Sequence, residues 1–279
     1  VTLVGWVGDV AAEIDRLVVT VFREAGRRVG DGFGFANAHP GLLVGVGSAL
    51  AARPLPVASL AATYPYLPPA LLDMLVENNV AEGVITLDAG VMSLTEPARR
   101  EATRVLNAFV DVPEEFWATA LLDEVEVLSS ACVTHGCSLD VLFEPSAFAV
   151  QAPLTDQPSQ PARVFRNLAA LRYWRADAHR AAWSGAGLSV LEAHALNRLW
   201  DLDRGVVRIG QGEEKPGREG TAALEERGWV ADGAINDEGR KHREAIEAET
   251  DARTEPIYEV LDAAGRERFL EALQQLPTG

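Results

Sequence analysis

The sequence predicts a mainly α-helical protein with two small β-hairpins, arranged as two diverged copies of one unit. Three observations carry this: long stretches of apolar residues at helical spacing, two short apolar runs each broken by an Asp-Gly type of turn, and the recurrence of both patterns in the same order along 279 residues. Searching for such a repeat comes first, because a missed duplication misreads the whole architecture.

The segment from Leu75 reads LVENNVAEGVITLDAGVMSLTEPARREA, and that from Leu224 reads LEERGWVADGAINDEGRKHREA. Each opens with the end of an amphipathic helix closed by a residue suited to a left-handed cap, Asn79 in the first and Gly228 in the second. A short strand follows (Val80 to Ile85; Trp229 to Ala231), then a tight turn at Asp88-Ala89-Gly90 or Asp232-Gly233. Thr95 and Asn236 are N-cap residues for the next helix, with acids in its first turn (Glu96; Asp237, Glu238) and Arg99-Arg100 or Arg240-Lys241 beyond. Helix, hairpin and capped helix form the back half of a winged helix.

The front halves have drifted further apart. The second copy has a long helix from Leu168 to Trp183, a break at Gly185 and Gly187, a helix from Val190 to Trp200, and a recognition-type helix from Gly217 to Arg227. The first copy has a helix from Ile14 to Arg28, a Gly-rich hinge at Gly30 to Gly34, and helices at Leu42 to Ala52 and Val57 to Thr63. Its recognition-type helix runs from Pro69 to Asn78. Gln151 to Pro161 reads as an exposed connector, which divides the chain into copies at 1–150 and 151–279 and makes it a monomeric pseudo-dimer.

The stretch YWRADAHRAAWSGAGLSVLEAHALNRLW (Tyr173 to Trp200), with LEERGWVADGAINDEGRKHREAIEAETD after it, resembles the MarR-type winged-helix proteins, most strongly over residues 165–275. The likeness is nearest to a branch with an Arg-x-Asp-x-His helix before its wing. It implies terminal helices that dimerise, a helix-turn-helix, a wing, and transcription regulation responsive to a small molecule. In such proteins effectors sit between the dimerising helices and the winged helix. A fold of this kind does not by itself carry DNA binding to every member.

Charge limits what the chain can grip. Its formal net charge is −16, with 8 basic and 19 acidic residues in 1–150 and 17 and 22 in 151–279. Duplex DNA therefore needs a local basic patch. No Lys or Arg occurs between Arg53 and Arg99, which contains the whole first helix-turn-helix and wing, so the first copy is not expected to read DNA. In the second copy Arg208, Lys215 and Arg218 are the candidate phosphate contacts, interspersed with Glu213, Glu214 and Glu219; a solvated mixed-charge surface is the competing reading.

Arg175, His179 and Trp183 share one row of a helix by i, i+4 spacing and form a candidate ligand-binding set: a cation, an imidazole and an indole. The plainer alternative pairs Arg175 with a carboxylate and makes His179 a hydrogen-bonded packing residue. Cys132 and Cys137 bracket His135 in CVTHGC, a weak zinc or redox signal beside the simpler reading of buried free thiols. No metal or cofactor is expected. Nucleophile-elbow, phosphate-loop and HExxH signatures are absent from the sequence, so an enzyme is not expected. Two cysteines in 279 residues, no basic-then-apolar leader and no apolar run of membrane length predict a cytoplasmic protein without membrane contact.

Overall fold

The computed structural model describes residues 3–29, 40–118, 120, 122–154, 156–205 and 217–278. Helix α1 (Leu3–Val29) begins eleven residues before the predicted start. Trp6, Val7 and Val10 continue the apolar stripe of Ile14, Leu17, Val18 and Val21, so the same face is buried along the whole length. Then come α2 (Pro40–Ala52), the two-residue strand β1 (Leu55–Pro56), α3 (Ala58–Thr63) and α4 (Pro69–Ala81). The hairpin β2 (Ile85–Asp88) and β3 (Val91–Leu94) leads into α5 (Glu96–Phe116) and α6 (Asp123–Gly136). After the short α7 (Ala147–Gln151), the series resumes with α8 (Gln160–Gly185), α9 (Val190–Asp203) and α10 (Arg218–Glu226). The second hairpin is β4 (Val230–Ala231) and β5 (Ala234–Ile235), followed by α11 (Asp237–Thr254), a 3₁₀ turn (Glu255–Tyr258) and α12 (Ala263–Gln275).

Both hairpins turn through two residues with positive φ, Ala89 and Gly90 in one and Asp232 and Gly233 in the other. This backbone twist suits a two-residue connection between antiparallel strands. Ile85 faces Leu94 in the first, and Val230 faces Ile235 in the second. The first wing has two more residues per strand, and β1 joins its sheet through Leu55 opposite Met92. Thr95 and Asn236 cap α5 and α11 by accepting from the backbone N–H groups of Ala98 and Gly239.

Asn79 is not the left-handed cap that the sequence suggested. It lies buried within α4, its amide donating to the Leu75 carbonyl at 2.8 Å, and the left-handed residue is Gly83. Gly83 thus corresponds to Gly228, and the first strand begins at Ile85 rather than Val80. The reason is local: Gly adopts positive φ without a Cβ clash, so the helix runs on to the next glycine.

The connector also differs from expectation. Gln151, Ala152 and Leu154 are buried, and the proposed boundary at 150/151 falls inside α7. Asp177 of α8 fixes that helix, accepting from Ser146 Oγ at 2.7 Å and from the N–H groups of Ala147 and Phe148 at 3.0 Å each. The Gly-rich hinge predicted at Gly30 to Gly34 lies outside the described residues.

One large core holds the centre, where α1, α5, α6, α8 and α12 meet. Phe109 and Phe165 stack at 5.7 Å with Phe22 edge-on to both. α8 is buried nearly all round in its first four turns because it runs through the middle of this core, so it lacks the polar stripe of a surface helix. Two smaller cores lie outside it. Leu50, Leu60, Leu75 and Met92 fill the first helix-hairpin unit, and Leu196, Leu224, Trp229 and Ile235 fill the second. In the central core α6 packs on α8, α12 packs on α1, and α6 and α12 touch each other.

Candidate functional site

Two surfaces and one cavity could carry function. On the first unit, α4 presents Leu71, Asp73, Met74, Glu77 and Asn78 to solvent, and its wing exposes Leu87, Asp88 and Val91. A phosphate backbone would meet carboxylates and apolar groups there, without a cation to release its counterions.

On the second unit, Arg218 is exposed at the start of α10, while Arg208 and Lys215 lie outside the described residues. Arg227 is held by the protein itself, its Nε 2.6 Å from Glu192 and an Nη donating to the Gly187 carbonyl at 2.7 Å. Glu192 also closes a capping box on Ser189 at the start of α9. Arg240 likewise ties α11 to α9 through Asp203 at 2.7 Å. The described face of α10 therefore offers Arg218 beside Glu219, Glu225 and Glu226.

A cavity of about 550 Å³ opens between the central bundle and the second helix-hairpin unit. α1 supplies Ala11, Ala12 and Asp15; the end of α3 and the loop after it supply Ala62 and Tyr66; α8 supplies Arg172, Arg175, His179 and Arg180. His194, Asn197 and Arg198 come from α9, and Arg243 and Glu247 from α11. Of the row predicted from sequence, Arg175 and His179 line the cavity. Trp183, one turn further on, packs beneath it with Leu188, Leu196 and Ile246.

Hydrogen bonds order this wall. Arg175 reaches Asp251 at 2.7 Å and Glu247 at 3.0 Å, and Arg243 reaches the other oxygen of Glu247 at 2.6 Å. Burial pushes the Glu247 carboxyl upward, but the Arg243 and Arg175 guanidinium groups outweigh it and hold its pKa down at about 2. The Thr250 hydroxyl donates to the Ile246 carbonyl at 2.7 Å, so it accepts from His179 Nδ1 at 3.1 Å. That assigns the imidazole proton to Nδ1 and turns Nε2 toward the Asn197 amide at 3.5 Å. The same Asn197 amide donates to the Tyr66 hydroxyl, and the Tyr66 ring stacks on His194 at 5.7 Å. Thus the loop after α3 is joined to α8, α9 and α11 by one polar network.

The sequence missed Arg180, Asn197, Tyr66 and Arg243, which converge only in space. A partial signal existed for Arg180, a charged residue three positions after Asp177 in a helix otherwise read as half core. Arg166 shows the same principle away from the cavity. It is buried between Phe109 and Phe165, donates to Ser48 at 3.0 Å, and has its pKa pushed down to about 10 by burial.

Cys132 is buried, and burial lifts its thiol to about 12, which leaves it unreactive; Cys137 is exposed. Among the described residues no group of three or more His, Cys, Asp or Glu is placed to hold a metal, and no helix is long and apolar enough to cross a membrane.

Mainly helical architecture, with a recognition-type helix and a small antiparallel hairpin, defines a helix-turn-helix protein. The profile of a helix-turn-helix family matches residues 15–278, through both units and the segment joining them, and the chain belongs to that family. No curated protein matches the chain, and no solved structure does. Membership assigns the chain, at a coarse level, to the DNA-binding regulators rather than to the enzymes.

Proposed function

We propose that the chain is a MarR-like winged-helix transcription regulator built as an intramolecular pseudo-dimer. Residues 1–150 supply one half and 151–279 the other, and the cavity takes a small-molecule effector. The observation that carries this reading is reciprocal packing. The last long helix of each half lies against the first helix of the other, α6 on α8 and α12 on α1, as in a symmetric dimer that exchanges its terminal helices. Each α-helix and β-strand of the second half among the described residues has a counterpart in the same order in the first.

In this reading DNA is held through the second half. Arg218 contacts phosphate, helped by Arg208 and Lys215, and the acidic first half stays off the duplex. Arg175 and His179 contact the effector, and Trp183 responds to it from the core beneath. Because α11 follows directly from the second wing, a ligand that redistributes the Arg175–Glu247–Arg243 contacts would alter how that wing is presented. The test is an electrophoretic shift at low salt with DNA from upstream of the protein's own coding sequence. A shift at micromolar protein is expected, weakened by Arg218→Ala with a salt slope shallower by about 1. The absence of any shift would reject the DNA-binding reading.

A second reading has its own support in the commitment of Arg227 to Glu192 and Gly187 and in the cation-free interval 54–98. Here the chain is a winged-helix scaffold that no longer grips DNA and binds a small molecule or a protein. An unchanged melting temperature across a broad metabolite panel, with no co-purifying partner, would count against it.

A further inference from the structure

The solvent face of α4 and its wing carries apolar groups that its own fold does not use. Among the described residues nine large hydrophobic side chains are exposed, and five of them lie here: Leu71, Met74, Val80, Leu87 and Val91. The core of this unit is filled instead by the inward residues, such as Leu72, Leu75 and Val76 of α4 and Ile85 and Leu94 of the hairpin. The second unit serves as an internal control. Val84 and Trp229 each donate a backbone N–H back to the preceding helix, to Asn79 and Leu224, both at 2.9 Å. That register sets Asp73 on Arg218, Met74 on Glu219 and Val80 on Glu225, all exposed. Charge is therefore compatible with these positions of the fold, and the first unit has apolar groups at two of them. Its wing adds more: of the four residues by which it is longer, Leu87, Asp88 and Val91 are exposed. A cluster of exposed apolar groups of this kind marks an interaction surface.

Charge decides what can cover it. Asp73 and Glu77 lie one turn apart beside Met74, Asp88 sits at the wing tip, and residues 54–98 contain no Lys or Arg. The arginines that bound this interval turn back to the chain, Arg53 donating to the Ala149 carbonyl and Arg99 to the Ala51 carbonyl. The face is thus apolar within a negative field, and its complement is apolar with a positive rim. A second copy does not supply that, because the chain has a formal net charge of −16 and copies repel. Shape narrows the partner further. Leu71, Met74, Asn78 and Ala81 are exposed at spacings of three and four along α4, a ridge on which another helix can pack. We propose that the α4 and wing face of the first unit docks a protein partner through a cationic amphipathic helix. The apolar stripe of that helix covers Leu71 and Met74, and its Lys or Arg side chains meet Asp73, Glu77 and Asp88. The surface belongs to the first unit alone, so the proposal does not rest on DNA binding by the second or on an effector.

The test is fluorescence anisotropy of a labelled peptide of about 18 residues, with leucines on one helical face and lysines on the other, titrated with the full chain. Salt at about 0.15 M screens long-range attraction to the acidic chain. Binding at one site is expected, at least about tenfold tighter than for a peptide of the same residues in scrambled order. A counterpart with glutamate in place of lysine should not bind. Leu71→Gln and Met74→Gln should each weaken binding by about tenfold, and Asp73→Asn with Glu77→Gln by about threefold. Glu219→Gln and Glu225→Gln, on the matching face of the second unit, should change it by less than about twofold. All these positions are exposed, so an unchanged melting temperature is expected to accompany each variant. Equal affinity for the scrambled peptide, or undiminished affinity in the Leu71→Gln, Met74→Gln double variant, overturns the proposal. So does an equal loss from the second-unit variants. A dimer in sedimentation that the same double variant dissolves would give the face to a second copy and likewise overturn it. A chain that binds the peptide as expected yet shifts no DNA keeps this site and loses the DNA-binding reading alone.

Discussion

Replacing Asp177 by alanine tests whether the junction between the halves is held as described. The carboxylate is 1% exposed and accepts three hydrogen bonds, two of them from the backbone at the start of α7. Its removal strands two N–H groups, at about 1–2 kcal/mol each, and a serine hydroxyl at about 1 kcal/mol. Relief from burying a negative charge offsets part of this, which leaves a net loss of about 3–4 kcal/mol. Asp177→Asn keeps one acceptor oxygen and should lose about 1–2 kcal/mol, and Ser146→Ala about 1–2 kcal/mol through the α7 cap and the lost hydrogen bond to Asp177. Urea unfolding followed by tryptophan fluorescence measures each, with an unchanged dependence on urea showing that the unfolded state is not altered. A loss below about 1 kcal/mol for Asp177→Ala would show that α7 is not anchored by this carboxylate.

Three further outcomes are expected. A Cβ at Gly220 would overlap the Leu191 carbonyl, and one at Gly239 the Trp229 carbonyl. Gly220→Ala and Gly239→Ala should therefore each lower stability by about 2–3 kcal/mol in thermal or urea melts and reduce any DNA shift, through the second helix-hairpin unit. The Glu247 carboxyl is held below its unfolded pKa, so its contribution is present above about pH 4.5 and lost as the pH falls toward 2. The shift corresponds to about 3 kcal/mol, reduced to about 1–2 kcal/mol because a third of the side chain meets water, and Glu247→Gln should flatten that acid limb. Leu71→Glu and Met74→Glu alter exposed positions of α4 and should change stability by less than about 0.5 kcal/mol and leave DNA affinity untouched. A weakened shift in either variant would show that the first unit touches DNA.

What the sequence determined was local. Periodic apolar residues announced the helices, because a face that must be buried repeats every 3.6 residues. Thr95 and Asn236 marked helix starts, because their side chains meet N–H groups that the helix itself leaves unpaired. Asp232-Gly233 marked a hairpin, because the turn needs positive φ at both positions. The misplacement of the cap at Asn79 shows the limit of such signals: an asparagine suits a left-handed cap or a buried helix position, and packing under the wing decided for the latter.

Tertiary structure decided the rest. Arg175 and His179 were legible as one row of a helix, but nothing local told that Tyr66, Asn197 and Arg243 would close the space before them. Those residues are separated by up to 177 positions and meet where α11 packs on α8 and α9, and where α7 joins α3 to α8. The partners of a charge are likewise set across the chain: Arg227 and Arg240 read as surface cations and are committed to Glu192 and Asp203, whereas Arg180 is buried with Asp177 at 3.8 Å. Whether a cation meets DNA, a neighbouring acid or a ligand depends on which groups folding brings within a few ångströms, and Coulomb energy at that range follows distance and burial, which sequence order does not encode.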